Sequence, residues 1–419
     1  MGMEYIHSNE IFLLTRDTLK FIDRRIMDHG SRVAYYVYKM LQCKGGYVEY
    51  ELADLMMVAA LHDIGAYKTD DWDDMLQVEV KNYMPHSIYG YLFFKYLSPM
   101  DALSKVILYH HMDCAGMADV KYEYKDIAVY ICLADRMDVY LKIMGSSFDI
   151  NTIRSAVGIQ FTKESIDLFY QAVRKYDMQE KIRDGSYKQE LKELSKYMLF
   201  SNEHKKKYLE MLMYCQGFRS EYTVVDTITC ICIAEEIGNA FDLSEEEMDL
   251  LYYGALLHDI GMLAIPKEII EAPRKLTKEE YRLLQKHIPF AEKVLGDRMA
   301  KEVMDLIVTH HERCDGSGYP RGLRGYHMTK LQKILQIADS ATAMKNKRAY
   351  KDSLSREKII ANLTADAATG KYEAQIVGVF VNQYDFIMER VDREASDIMK
   401  MYRKLNTQFT QVSGTMNTR

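Results

Sequence analysis

The sequence predicts an all-α protein, built as two similar helical domains in tandem and joined by a helical linker. Three observations carry this reading. Prolines (six) and glycines (22) are few for 419 residues, and helix-forming residues abound. Apolar residues recur at helical spacing in LADLMMVAALHDIG (52–65) and EEEMDLLYYGALLHDIG (245–261), while strand signals are weak throughout. One ordered series of histidines and aspartates occurs twice, roughly 200 residues apart, as a duplication requires.

The elements follow in order. The first domain, 1–180, contains His29 and Arg32 in MDHGSRVAYY, then His62 and Asp63 at the end of a buried helix. His86 in PHSIYG, the doublet His110 and His111 in ILYHH, and Asp135 in CLADRMD complete its series. Residues 181–216 read as a charged helical linker with an apolar stripe, its charge run forming a solvated face. The second domain, 217–400, repeats the series as His258 and Asp259, His287 in KHIPFAE, His310 and His311 in IVTHH, and Asp339 in QIADSAT. The echo extends to GIQF at 158–161 and GKYE at 370–373, each expected to precede an apolar helix. The polar tail, 401–419, is expected to fray.

Bulk properties exclude several classes. A hydrophobic share of 48% with 28% charged residues is that of a globular chain able to bury two cores. A net charge of −6 gives no reason to expect a duplex nucleic acid as partner. No apolar run has the length of a membrane span, and the N-terminus lacks a signal-peptide pattern. The seven cysteines form no CxxC pair, which suits a reducing compartment, so a cytoplasmic location is expected.

The repeated residues point to metal. Of twelve histidines, nine belong to these sets, leaving only His7, His204 and His327 elsewhere. A single buried histidine is ordinarily a core residue, but that reading does not produce the same series twice. Imidazole and carboxylate suit iron, manganese, cobalt or zinc, and the lack of cysteine in the series disfavours a structural zinc site. Two cations sharing one carboxylate are an arrangement used for displacement at phosphate esters.

With HHERCDGSGYPRGLRG at 310–325, the second half resembles the HD-GYP branch of the HD superfamily of metal-dependent phosphohydrolases; the first half resembles the wider superfamily over about 25–170. The resemblance implies hydrolysis of a cyclic dinucleotide, chiefly cyclic di-GMP, to a linear dinucleotide or GMP, with two divalent ions, iron or manganese foremost, in the site. It implies that His258, Asp259 and Asp339 hold one metal and His287, His310 and His311 the other, with Asp259 bridging. His258, Asp259, His310 and His311 are the catalytic set on this reading. Asp315, Gly316, Gly318, Tyr319 and Pro320 of the GYP loop, with Arg313, Arg321, Arg324 and Arg348, are the substrate-binding candidates; Arg348 lies in KRAY (347–350), which matches an Arg-x-Tyr segment of the family. His29, His62, Asp63, His86, His110, His111 and Asp135 form a possible second metal site.

Each half departs from the pattern. The family's helix before HDIG carries a histidine and, three residues on, an arginine, for which EYTVVDTIT supplies Tyr222 and Val225; the lysine after HDIG is Met262. The first half keeps His29 and Arg32 but follows its doublet with HHMDCAGMADV, without GYP, and has Ala66 after HDIG. Two other readings therefore stand beside the hydrolase: a catalytically weak effector that binds a cyclic dinucleotide or a partner such as a diguanylate cyclase, and a first half that is itself the active phosphohydrolase or a diiron oxygenase. Oligomeric state is not legible.

Overall fold

A computed structural model describes residues 5–7, 10–69, 84–145, 150–196, 200–346 and 353–416. Arg348 and KRAY lie outside the described residues. The described residues form helices joined by turns, with isolated bridges such as Asp315–Arg324 and no strand among them, as the sequence predicts.

Two compact units form: Ser8–Tyr208 with Leu405–Arg419, and Met1–His7 with Leu209–Lys404. The expected linker is thus shared between them. Within the first unit, Tyr187 and Leu191 are buried and Glu190 takes ion pairs from Lys39 and Lys181. Leu209, Met211 and Leu212 are buried in turn. The expected tail is not frayed where it is described: the last helix runs from Tyr384 to Met416, and Tyr96 donates to Gln408 at 2.7 Å.

Five helices frame the first-half site: α1 (Arg24–Lys44), α2 (Glu49–Ala60), α3 (Met84–Leu97), α4 (Ser104–Tyr109) and α5 (Lys125–Met144). Their counterparts are α6 (Glu221–Ala240), α7 (Glu245–Leu257), α8 (His287–Leu295), α9 (Lys301–Thr309) and α10 (Lys330–Lys345). Local chemistry sets their starts. The Asp23 carboxylate caps α1 by accepting from the Arg25 amide, and Ser244 with Glu247 and Thr329 with Gln332 form reciprocal caps on α7 and α10.

In each unit the first helix packs against the second and the fifth. Val33, Tyr36 and Val37 of α1 are sealed with Val58 of α2 and Ile131 of α5; Ile233 and Ala234 of α6 with Leu251 of α7 and Ile337 of α10. Each such aliphatic side chain contributes about 1.5–3 kcal/mol on burial. These cores fix the ends of α2, α4, α7 and α9, from which the histidines project. The helices expected after GIQF and GKYE are Lys163–Tyr176 and Ala374–Asn382.

Candidate metal centre and substrate cavity

Helix termini set the histidine tautomers. The last carbonyls of a helix have no partner within it. His62, His258, His110 and His310 follow α2, α7, α4 and α9, and each donates its Nδ1–H to the carbonyl three residues back, at 2.6–2.8 Å. His287 does the same to Leu284 at 2.7 Å. A carbonyl only accepts, so Nδ1 carries a proton and Nε2 is the nitrogen that points into the site.

In the second half these nitrogens meet carboxylate oxygens and one another. Asp259 Oδ2 lies 3.4 Å from His258 Nε2, and Oδ1 lies 3.6 Å from His287 Nε2 and 3.9 Å from His310 Nε2. The Nε2 atoms of His287 and His310 face each other at 3.3 Å, and His311 Nδ1 lies 3.3 Å from Asp339 Oδ2. Asp259, His287, His310 and His311 each offer a ligand atom, all within 4.8 Å of one another. The two oxygens of Asp259 thus face different histidines, the disposition of a bridging carboxylate.

The first half repeats this. Asp63 Oδ2 lies 3.2 Å from His62, and Oδ1 lies 3.4 Å from His110 and 3.5 Å from His86. His29 Nε2 is 3.1 Å from Asp135 and 3.9 Å from Asp63. Two ligand groups result: Asp63, His86, His110 and His111, and His29, His62 and Asp135. Among the described residues, His29 Nε2, His62 Nε2, His110 Nε2, Asp63 Oδ1 and Asp135 Oδ1 are buried without a hydrogen bond. An atom left in that state costs on the order of 1–3 kcal/mol, and the convergence of these five fits a bound cation.

The electrostatics agree. Burial raises the Asp63 and Asp259 carboxyls, but their histidine neighbours hold both well below the usual range. Burial lowers His258, yet Asp259 and Asp339 outweigh it and carry its pKa up to about 9. Burial likewise opposes His29, which Asp135 and Asp138 raise to about 10. His310 is held well below its ordinary value by burial and by His311 and His258.

The halves differ in access. The Asp259 side chain is 16% exposed, whereas that of Asp63 is 3% exposed. Asp259, His287, His311 and Asp339 open onto a cavity of about 680 Å³. In the first half, Arg136 Nη2 pairs with Asp135 at 2.6 Å; the corresponding serine, Ser340, instead contacts Tyr372 and Arg313.

Of the substrate-binding candidates, Arg313 and Tyr319 line the cavity. Arg313 donates to Ser340 and stands 5.2 Å over the Tyr372 ring; the Tyr319 ring lies 4.7 Å from that of His311. Asp315 accepts from Ser317 within the loop, and Arg321 pairs with Glu292 at 3.4 Å. Gly316 has φ +83°, and a Cβ on Gly318 would stand 2.4 Å from the Arg313 amide nitrogen, so the loop closes only with glycine there. Neither these residues nor Pro320 and Arg324 are among those lining the cavity.

Sequence reasoning missed Glu312, which is fully buried and accepts from the Arg321 and Leu323 amides at 2.6 and 2.8 Å, pinning the GYP loop. A glutamate beside the ligand doublet was the available signal. It also missed Lys275 and Lys278 on the cavity wall, which bring positive charge to the cavity that Met262 lines.

The expectation for Tyr222 and Val225 needs correction. In the first half, His29 and Arg32 both bond to Asp138 of α5, at 2.7 and 2.6 Å. In the second, the pair three residues apart that reaches the fifth-helix segment is Asp226 and Thr229, both accepting from Asn346 Nδ2, at 2.8 and 3.0 Å. The vacancy therefore falls one helical turn later than the sequence suggests. Tyr222 is 47% exposed at the cavity wall, so it is not packed in the core.

Paired histidine–aspartate sites at the helix ends of a duplicated all-α chain define a class of candidate metal-binding proteins. Family comparison agrees: residues 26–141 and 198–376 each match a model described as an HD domain. The chain is 26% identical to 3′3′-cGAMP-specific phosphodiesterase 1 of Vibrio cholerae, over 85% of this chain and 86% of that protein. It is 32% identical to a cyclic di-GMP phosphodiesterase of Thermotoga maritima, over 43% of this chain and 46% of the relative. It spans 29% of a second V. cholerae relative, 3′3′-cGAMP-specific phosphodiesterase 2, at 33% identity. A crystal structure of a cyclic GMP-AMP specific phosphodiesterase from V. cholerae shares the fold, with TM-score 0.55 at 17% identity over 91% of this chain and 98% of that one. The chain belongs to the HD phosphohydrolase family, of HD-GYP type in its second half. No helix among the described residues is long and apolar enough to cross a membrane.

Proposed function

We propose that the second-half site is a metal-dependent phosphodiesterase acting on a cyclic dinucleotide. One observation carries this: the ligand set around Asp259 opens onto a cavity of about 680 Å³ whose wall also holds Arg313, Lys275, Lys278 and Tyr319. That volume lies in the range of small-molecule sites. His258, Asp259 and Asp339 would hold one divalent ion and His287, His310 and His311 another, with Asp259 shared; iron or manganese suits these donors. When bound, such ions lower the pKa of a water and neutralise phosphate charge.

The protein's own groups do the rest. Arg313 and the two lysines pair with phosphate oxygens as charge shifts onto them. Tyr319, seated on His311, holds the substrate against the ligand cluster. Water attacks phosphorus, the bond to the 3′-oxygen breaks, and that oxygen leaves as a hydroxyl on a linear dinucleotide. Cyclic di-GMP and 3′3′-cGAMP are the two substrates that the names of the relatives support.

In the first half, the enclosed ligands and the Arg136–Asp135 pair favour a metal-holding role over turnover. Purified protein with Mn(II) or Fe(II) is expected to hydrolyse one of the two nucleotides. Asp259→Ala is expected to abolish this and Asp63→Ala to retain it. Nucleotide binding without turnover under every metal would instead favour an effector, and the reverse mutant pattern would place the chemistry in the first half.

A further inference from the structure

We infer that Asp226 is a metal ligand of the second-half centre, a carboxylate standing where the first half uses the His29 imidazole. The first half defines the place. His29 and Arg32 are clasped by Asp138, which leaves His29 Nε2 directed at Asp135 and Asp63 and completes a three-residue group with His62. In the second half, His258 and Asp339 correspond to His62 and Asp135. Among the described residues, no third imidazole stands with them as His29 does in the first half.

Two observations assign Asp226 to that position. The clasp recurs: Asn346 donates to both Asp226 and Thr229, as Asp138 binds both His29 and Arg32. Asp138 and Asn346 follow Asp135 and Asp339 by three and seven residues, spacings that return to the same helix face. Asp226 is also 7% exposed and lines the same cavity as Asp259 and Asp339.

Asp226, Asp259 and Asp339 thus place three carboxylates on the wall of one cavity, where a bound cation offsets the repulsion between like charges. The exchange of imidazole for carboxylate also makes this centre harder than its first-half counterpart. It therefore suits Mn(II) better than a softer ion.

The inference rests on the two-metal reading of the second-half site but not on turnover, so its test uses Mn(II) alone. Full-length wild type, Asp226→Asn, Asp226→His and Asp259→Ala would be titrated with Mn(II) by calorimetry and electron paramagnetic resonance, with circular dichroism confirming that each variant is folded. Asp226→Asn, which keeps the shape and an acceptor for Asn346, is expected to weaken one Mn(II) by ~10-fold or more. Asp226→His is expected to regain full stoichiometry while shifting preference from Mn(II) toward Zn(II). If Asp259→Ala lowers uptake but Asp226→Asn does not, the role of Asp226 alone is overturned. The same holds if Asp226→His fails to restore what Asp226→Asn loses. If Asp259→Ala also changes nothing, the two-metal reading falls and the inference with it.

Discussion

Gly261 and His287 touch through their backbones: a Cβ on Gly261 would stand 1.9 Å from the His287 carbonyl oxygen. Gly65 holds the same relation to His86, again at 1.9 Å. The glycine of each HDIG thus lets the segment carrying the next histidine ligand approach the helix end that carries His-Asp. Gly261→Ala is expected to push His287 out of reach, at a cost of about 1–3 kcal/mol in stability from overpacking. Elemental analysis would show reduced metal in the second half, and thermal melting a lower Tm.

Glu312 has a separate role. In Glu312→Ala, the Arg321 and Leu323 amides lose their charged acceptor, at about 1 kcal/mol or more for each hydrogen bond. The GYP loop then loses its anchor while the ligand cluster keeps its own. The expected result is a raised KM for the dinucleotide with unchanged metal content, read by steady-state kinetics alongside elemental analysis.

Arg313→Ala removes a cation from the cavity wall together with its contacts to Ser340 and Tyr372. If it pairs with phosphate as charge develops, kcat/KM is expected to fall by ~10-fold or more, about 1.4 kcal/mol or more in transition-state binding. Arg321→Ala, whose side chain pairs with Glu292, is expected to leave kcat/KM nearly unchanged.

Proton linkage gives a further expectation. In the metal-free protein, His258 and His29 are raised to about 9 and about 10 by their carboxylates, against burial. Groups raised on folding contribute stability fully present below their unfolded value of about 6.5, and lost as pH rises through 9 and 10. A metal must displace those protons. Metal uptake at pH 7.5 is therefore expected to release protons, with affinity rising from pH 6.5 toward 9. Calorimetry in buffers of different ionisation enthalpy reads the number released.

Much of this was legible in the sequence, because helical spacing and ligand identity are local properties. The His-Asp pairs stand at helix ends, where the apolar spacing placed them. What escaped depends on three-dimensional partners. Asp138 and Asn346 look like ordinary helix polar residues until α1 and α6 bring them their clasps. The missing histidine was assigned a turn early because residues four apart share a helix face, so spacing alone could not separate Tyr222 from Asp226. Arg321 sits in the same loop as Tyr319 yet pairs with Glu292, since chain direction through a glycine turn is not written in residue type.

The most direct test of the central claim is a crystal of the protein soaked or grown with Mn(II), with anomalous scattering measured at the manganese edge. Two peaks flanking the Asp259 carboxylate, one beside His258 and Asp339 and one beside His287, His310 and His311, are the result expected. A single peak away from Asp259, or none there at saturating metal, would contradict it.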